Sequence, residues 1–367
     1  MAQRKVPAVY MRGGTSRCLV FHERDLPPDA AARDRILLAA LGSPDPYRRQ
    51  LDGLGGGISS LSKACIIGPG TLAGADVDYT FAQVHVDRSE VDYSGNCGNC
   101  SSAVGPFAID EGLVPAVEGE TVVRIHNTNT KKLIVAHVPV AGGEAAVTGD
   151  FELPGVAGLG ARIALDFLEP GGAGTGRLLP TGRALDRIDG LACSLVDATN
   201  PVVFFRAADL GLTGTEAPAA IDADRALSER LERLRVAAAQ LMGIPGSAAV
   251  PKIAVVAAPT AFTALDGVAH PRESADLVGR AISMGNCHRA FPLTVAMCLA
   301  VAARIPGTVV RDASAAADGA DIRLGHPSGV LPIDARVGRR GDEPWAERVT
   351  TYRTARRLME GAVRIAI

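Results

Sequence analysis

The sequence has few aromatic residues, no long apolar run and almost no net charge. Aromatic side chains make up 4% of its 367 residues, and the formal net charge is −2. A charge so balanced attracts neither nucleic acid nor an anionic membrane surface. The apolar stretch from Phe291 to Ile305 is broken by Pro292 and Arg304 and is too short to span a bilayer. We therefore expect no nucleic-acid partner and no membrane association.

Features of an exported protein are also missing. The opening residues, 1–10, contain no long apolar run and lead directly into a strand, so we expect no signal peptide. The seven cysteines are an odd number, which favours reduced thiols in the cytoplasm over a disulfide framework. A notable cysteine should then be buried or catalytic. The oligomeric state is left open, and a homodimer is compatible with the sequence.

The length and composition suit two domains with ample apolar cores. Hydrophobic residues make up 47% and charged residues 21% of the chain. Both halves lead a strand into a Gly/Asn/Cys turn and then into a helix of small residues, which indicates a duplicated α+β unit. We predict an N-terminal domain over residues 1–184 and a C-terminal domain over residues 185–367.

Hydrophobic spacing predicts the helices and strands that carry the motifs. We expect helices over residues 27–42, 101–111 and 222–242. A further apolar helix should open at residues 283–288 and run to Ile305. A final strand is expected after the turn at residues 326–329.

The segment from Asp92 to Asn99 is the strongest candidate for chemistry. Gly95 and Gly98 allow tight turning, and the helix that follows would direct its unpaired N–H groups back at the turn. That geometry binds a carboxylate and lowers the pKa of a thiol. Cys97 is therefore a candidate proton carrier above a substrate carboxylate.

Cys97 and Cys100 also form a CxxC pair, which could be half of a zinc site or a redox pair. A zinc site needs two further ligands, and the sequence has no second CxxC and no HxxxH. We therefore predict no metal and expect Cys100 to face the core. A purely structural turn is the remaining alternative.

Three other positions have both a functional and a structural interpretation. Lys63 stands between a Gly/Ser-rich loop and an apolar strand, where partial burial would favour a neutral amine that can act as a general base; a surface lysine is the alternative. The turn from Arg12 to Ser16 could bind an anion or be a bare hairpin turn. His288 and His326 are candidate donors or hydrogen-bonded structural histidines.

Familiar nucleotide and nucleophile motifs are missing from the sequence. It has no GxGxxG after a strand with an acidic partner, no P-loop and no GxSxG elbow. The glycine-dense segment at residues 53–57 lacks the Lys-Ser/Thr that a P-loop requires. We expect no cofactor.

Taken together, the motifs resemble the PrpF family, the 2-methylaconitate cis–trans isomerases. The matching segments follow one another along nearly the whole chain, at residues 11–16, 42–45, 59–63, 92–105, 149–152, 179–182, 283–285, 325–329 and 358–361. The resemblance implies an α+β fold like that of diaminopimelate epimerase. In that fold two similar domains each wrap a curved sheet around a central helix, and the active site lies in the cleft between them.

The resemblance also implies a cofactor-independent isomerase that moves a proton on a small unsaturated tricarboxylic acid through an extended enolate. It makes Lys63 the suspected base, Cys97 the catalytic cysteine and Ser16 a residue beside the substrate. Helix starts at residues 99–102 and 283–288 would hold carboxylates from opposite sides. The expected substrate-binding residues are Arg12, Thr15, Asn96, Gly98, Asn99, Ser101, Thr181, Ser283, Met284, Gly285, His288 and Ser328.

The substrate that fits best is of the 2-methylaconitate type, since residues 149–152 and 358–364 are most similar to it. The alternative is an allylic double-bond isomerase or tautomerase that acts on 4-oxalomesaconate, methylitaconate or aconitate. A non-catalytic polycarboxylate-binding protein is the alternative from another class. Two departures from the family stand out: Asn286-Cys287 replaces Lys-Leu/Met before His288, and Cys100 replaces a larger apolar residue.

Overall fold

The structure is a computed structural model that describes residues 3–93, 96–245, 250–283 and 285–366. The chain forms two compact units, the first of residues 1–166 and 352–367 and the second of residues 167–351. The expected boundary after residue 184 lies inside the second unit, and the C-terminal strand belongs to the first. No helix within the described ranges is long and apolar enough to cross a membrane.

Six α-helices and twenty-three strands are found in the described residues. The helices are α1 (Ala30–Leu41), α2 (Gly98–Asp110), α3 (Pro218–Ala223), α4 (Arg225–Leu241), α5 (Leu293–Ala302) and α6 (Val309–Ala313). The strands up to residue 168 are β1 (Arg4–Gly13), β2 (Ser16–His22), β3 (Lys63–Pro69), β4 (Val77–Val84), β5 (Val91–Asp92), β6 (Gly119–Asn127), β7 (Lys132–Ala141), β8 (Glu144–Ala145), β9 (Phe151–Glu152), β10 (Leu159–Gly160) and β11 (Ile163–Leu168). The later strands are β12 (Asp186–Ile188), β13 (Leu191–Asp197), β14 (Pro201–Arg206), β15 (Lys252–Ala257), β16 (Phe262–Thr263), β17 (Ala269–His270), β18 (Leu277–Ser283), β19 (Asn286–Cys287), β20 (Ile322–His326), β21 (Gly329–Arg340), β22 (Glu343–Arg353) and β23 (Ala355–Ile365).

In the first unit a mixed sheet surrounds one buried helix. Its strands lie in the order β23, β1, β2, β3, β4, β6 and β7, and the pairs β2–β3 and β4–β6 are parallel. Helix α2 contacts all seven of these strands and is built largely of small residues, which lets the sheet approach it closely. Helix α1 packs elsewhere, against side chains such as Leu19 and Phe21. Its bounds follow local signals, since Asp29 caps its N-terminus and Gly42 ends it with φ +74°.

The second unit repeats this order of pairings. From β13 through β14, β15, β18 and β20 to β21, the pairs are antiparallel, parallel, antiparallel, parallel and antiparallel, as they are from β1 to β7. Helix α5 occupies the position of α2 and is almost entirely buried, whereas α4 corresponds to α1. The predicted α+β class with a duplicated unit is confirmed.

Two sequence-based expectations in the second unit are wrong. The apolar helix does not open at residues 283–288, because β19 turns back there and pairs with the end of β18. Helix α5 begins only at Leu293, directly after Pro292, whose ring fixes φ and suits the start of a helix. The strand after residue 328 is also not the last, since β22 and β23 follow it.

Candidate active site

Lys63 is a buried lysine at the start of β3. It is 8% exposed, so the alternative of a surface lysine is wrong. Its Nζ donates a 2.6 Å hydrogen bond to Oε1 of Gln83, the residue opposite it on β4. The same Nζ lies 5.0 Å from the ring centroid of Phe81. A neutral amide and an aromatic ring contact the amine here. Neither contact prevents the amine from transferring a proton.

Cys97 occupies the N-cap position of α2. Its backbone is extended, and its Sγ accepts a hydrogen bond from the N–H of Cys100 at 3.4 Å. The side chain is half-buried, whereas the next turn of the helix is buried. The first helical turn contains no acidic residue, so the positive end of the helix dipole is free to favour an anion.

The thiol of Cys97 has a pKa well below its usual range. The hydrogen bond from the Cys100 thiol is the largest cause, and it more than offsets the effect of burial. The positive charge of Lys63 and the N–H groups of Cys100 and Asn99 lower the pKa further. The first unit therefore brings Lys63 and Cys97 into electrostatic reach of each other and favours the thiolate form of the sulfur.

The β1–β2 turn packs directly on the first turn of α2. A Cβ added to Gly13 would lie 2.6 Å from the carbonyl oxygen of Asn99, so only glycine fits this approach. Nδ2 of Asn99 donates a 3.1 Å hydrogen bond to Oγ1 of Thr15. Ser16, the first residue of β2, is 3% exposed. The turn thus brings Thr15 and Ser16, the two predicted hydroxyl residues, beside the start of α2.

Arg12 stabilises this turn from within. Its Nη1 donates hydrogen bonds to the carbonyl oxygens of Gly14 at 3.0 Å and Thr354 at 2.9 Å. The N–H of Gly14 donates to the same Thr354 oxygen. These contacts give Arg12 a role in holding the turn, and a direct role in substrate binding stays a prediction.

Arg353 is a candidate residue that the sequence analysis missed. It is 5% exposed, and its Nε donates a 3.1 Å hydrogen bond to Oδ1 of Asn99. Burial lowers its pKa to about 10, while the negative charge of Cys97 acts in the opposite direction. The only sequence signal is one arginine among the small and aromatic residues at 350–354. A buried guanidinium at this position is suited to a substrate carboxylate.

The remaining predicted residues of α2 and its approach have mainly structural contacts. Oδ1 of Asn96 accepts a 2.8 Å hydrogen bond from the buried amide of Asn127. The hydroxyl of Ser101 donates to the carbonyl of Cys97 at 3.0 Å. Gly98 is the first helical residue, and its N–H belongs to the group that a helix leaves without an intrahelical partner. Of these three, Gly98 is the residue best placed to donate to an anion.

Three buried thiols meet behind Cys97. The sulfurs of Cys18, Cys65 and Cys100 lie within 4.8 Å of one another, although the sequence offered no second ligand pair. All seven cysteines lie within the described ranges and are free thiols. Burial raises the pKa of Cys65 and of Cys100. A thiophilic ion would require thiolates, which burial disfavours, so the absence of a metal stays a prediction.

The second unit brings part of its predicted set together. His288 follows β19, and its Nδ1 accepts the N–H of Ala290 at 3.1 Å. The hydroxyl of Ser328 donates to the carbonyl of Arg289 at 2.6 Å, which joins the turn after β20 to the segment after β19. Burial lowers the pKa of His288, and the charge of Lys252 adds to this effect. Lys252 begins β15 and is thus the topological counterpart of Lys63.

The other predicted residues of this unit differ in their surroundings. Gly285 has φ +80°, a conformation that favours glycine. Thr181 donates a 2.7 Å hydrogen bond to Oδ2 of Asp186 and belongs to a local polar network. Ser283 ends β18, and Met284 lies outside the described residues. That these residues face Lys63 and Cys97 across a cleft stays a prediction.

Solved structures define the class of protein. A crystal structure of a methylitaconate-delta-isomerase has a TM-score of 0.92 and 41% identity, over 100% of this chain and 96% of that one. A hydroxyproline epimerase from Agrobacterium vitis has a TM-score of 0.50 at 13% identity, over 98% and 93%, which shows a shared fold alone. The chain is an isomerase with an epimerase-like fold.

The family follows from the sequence comparisons. The family model described as PrpF protein matches residues 3–366, and the chain belongs to this family. A 2-methyl-aconitate isomerase from Shewanella oneidensis is 41% identical over 99% of this chain and 97% of the relative. A 3-methylitaconate isomerase from Eubacterium barkeri is 42% identical over 98% and 97%. A 4-oxalomesaconate tautomerase from Pseudomonas putida is 38% identical over 99% and 97%.

Proposed function

We propose that this isomerase moves a proton on a small unsaturated tricarboxylic acid of the 2-methylaconitate type, with Lys63 and Cys97 as the proton-transfer pair. The observation that carries the proposal is the position of the Cys97 sulfur at the N-cap of α2, in the same unit as the buried Lys63 at the start of β3. Relatives named for 2-methylaconitate, 3-methylitaconate and 4-oxalomesaconate support the substrate class.

We also propose a cytoplasmic location, which the seven free thiols support.

The first unit offers a binding site for a substrate carboxylate. The N–H groups at the start of α2 and the guanidinium of Arg353 supply positive potential. Asn99 and Thr15 are already linked by a hydrogen bond and keep polar atoms beside them. A carboxylate bound here would fix the substrate next to the Cys97 sulfur, which is the arrangement that proton transfer requires.

The reaction begins with loss of a proton from a carbon that lies next to a C=C bond. The negative charge left on that carbon spreads over the double bond and the conjugated carboxylate. The N–H groups of α2 stabilise the resulting extended enolate. Rotation and return of the proton to the same carbon give cis–trans isomerisation. Delivery to the far end of the allylic system gives migration of the double bond. Neither outcome calls on a cofactor.

The electrostatics of the pair bear on which residue takes the proton. A lysine must be neutral to act as a base, whereas a charged lysine favours the thiolate form of a nearby cysteine. We assign Cys97 as the group that accepts the proton from the substrate and Lys63 as the group that donates one. In the reverse direction of the same path, Lys63 accepts and Cys97 donates, which is the assignment that the sequence suggested.

A double-bond isomerase is the second candidate function. The 3-methylitaconate relative is as similar to this chain as the 2-methylaconitate relative, with 42% and 41% identity. Both outcomes proceed through one enolate, so the carbon to which the proton returns decides between them.

Proton NMR in D₂O tests both candidates. Purified protein is incubated separately with 2-methylaconitate, cis- and trans-aconitate, methylitaconate and 4-oxalomesaconate, and each spectrum is followed in time. Cis–trans conversion of 2-methylaconitate with deuterium uptake at one carbon supports the first proposal. Migration of the double bond in methylitaconate or 4-oxalomesaconate, without turnover of 2-methylaconitate, favours the second. Exchange with none of the acids would overturn the substrate class.

A further inference from the structure

Cys97 and Cys100 pair a partly buried cysteine at the N-cap of α2 with a fully buried cysteine one helical turn away. The Cys97 sulfur accepts a 3.4 Å hydrogen bond from the backbone N–H of Cys100. Cys100 has no exposed surface, whereas Cys97 is partly open to solvent. A reactive, accessible thiolate next to a protected second thiol is the arrangement that forms disulfides reversibly.

We infer that Cys97 and Cys100 are a reversible oxidation site, at which a hydroperoxide converts the pair into a disulfide and stops the isomerase. In the first step the Cys97 thiolate attacks the peroxide, takes one oxygen as a sulfenic acid and releases hydroxide or alkoxide. In the second step Cys100 loses its proton, its sulfur attacks that of Cys97, and water leaves. The cysteines are oxidised by two electrons and the peroxide is reduced by two. A dithiol reverses the change by exchange.

Cys100 is the resolving residue because of its position between Cys97 and the other thiols. Its backbone N–H donates to the Cys97 sulfur, and its own sulfur lies within 4.8 Å of those of Cys18 and Cys65. Cys18 and Cys65 come from β2 and β3, beyond Cys100. A disulfide between Cys97 and Cys100 therefore needs the smallest displacement of the backbone.

This site goes beyond the proposed isomerase reaction, although it shares Cys97 with it. Oxidation would remove the thiolate that accepts the substrate proton and leave Lys63 without its partner. An apolar residue at position 100 could not form this disulfide. The switch is thus a property of this chain's own CxxC pair.

Mass spectrometry and activity measurements on the full chain test the inference. Reduced protein is treated with hydrogen peroxide, digested under conditions that preserve disulfides, and compared with an untreated sample. We expect the peptide that holds both cysteines to lose two hydrogens and isomerisation to stop. A dithiol should restore both the original mass and the activity. A disulfide between other cysteines, or activity lost without any loss of hydrogens, would overturn the inference.

Cys100→Ser is the informative variant, since its hydroxyl can still donate to the Cys97 sulfur but cannot form a disulfide. Each variant is compared with its own reduced form. Peroxide should oxidise Cys97 of this variant to sulfinic acid, a gain of two oxygens that a dithiol does not reverse. Recovery as complete as that of the wild type would overturn the role of Cys100.

Cys65→Ala is the matched control, because it removes a neighbouring buried thiol and should keep the reversible disulfide. Cys18→Ala replaces it if that protein does not fold, as judged by circular dichroism. If the disulfide is lost in the control as well, the pair is not self-sufficient and the inference fails. The mass measurement needs no turnover, so failure of the disulfide and failure of the proposed function are separate results.

Discussion

Arg353 donates a 3.1 Å hydrogen bond to the side chain of Asn99, which lies 254 residues earlier in the chain. Asn99 in turn donates to Thr15 in the β1–β2 turn. Three separate segments of the first unit therefore meet at the start of α2, and the last of them is the segment that returns from the second unit. The candidate site for a substrate carboxylate therefore depends on the return of the chain from the second unit to the first.

Arg353→Lys tests the assignment of this guanidinium. Lysine keeps the charge but loses the planar fork and the hydrogen bond to Asn99. We expect kcat/KM to fall about 10- to 100-fold, which corresponds to the loss of a charged hydrogen bond worth roughly 1.5–3 kcal/mol. Steady-state kinetics on the accepted substrate measures this. Arg356→Lys, at an exposed position of β23, is the control and should behave as the wild type. Equal kinetics of the two variants would remove Arg353 from the site.

Lys63→Ala removes one member of the proposed proton-transfer pair. We expect turnover to fall by at least about 100-fold, because general acid–base groups typically contribute 10²–10⁴. Lys5→Ala, an exposed lysine of β1, is the matched control. The measurement is the initial rate of isomerisation, together with the rate of deuterium exchange. Turnover within about tenfold of the wild type would exclude Lys63 from proton transfer.

Alkylation of Cys97 reports the lowered pKa of its thiol. A thiol of ordinary pKa, near 8.5, loses reactivity about tenfold for each unit of pH below that value. Because the pKa of Cys97 is lowered, its thiolate persists as the pH falls through neutrality. We expect iodoacetamide to label Cys97 at nearly the same rate at about pH 8 and pH 6, as followed by peptide mass spectrometry. Lys63→Ala should make that rate fall between the two pH values, and a steep fall in the wild type would contradict the thiolate.

Asp276→Asn should destabilise the second unit and weaken its dependence on pH. Asp276 is buried, which opposes ionisation, but hydrogen bonds from the backbone and guanidinium of Arg323 outweigh this and lower its pKa. A lowered pKa stabilises the fold above the unfolded value of about 4, and this contribution is lost as the pH falls through the native pKa. We expect the variant to be about 1–3 kcal/mol less stable at neutral pH.

Thermal unfolding at neutral pH and near pH 3 checks this expectation. The difference between wild type and Asp276→Asn should be largest at neutral pH and shrink in acid. Asp342→Asn, at a fully exposed position, is the control and should unfold as the wild type does at both pH values. A difference in stability between wild type and Asp276→Asn that stays constant with pH would show that the charge of Asp276 does not contribute to stability.

Local signals in the sequence predicted α1, α2 and α4 well. Asp29 and Gly42 bound α1 through a cap and a left-handed residue, and both act through atoms close in the chain. The same reasoning predicted the Cys97 turn, because a helix start supplies its own N–H groups. It failed at residues 283–288, which come before an apolar run but contain β19, paired back onto β18. Pairing between strands depends on which partner lies opposite, which periodicity does not state.

The sequence alone therefore determined the family, the fold class and the two residues of the proposed proton-transfer pair, since these depend on motifs that stay together along the chain. Only the tertiary structure decided that Arg353 reaches Asn99, that Lys63 is buried against Gln83, and that Cys18 and Cys65 gather around Cys100. Each of these contacts joins residues on different strands or helices. Their proximity follows from strand order and helix packing, for which one sequence carries no local signal.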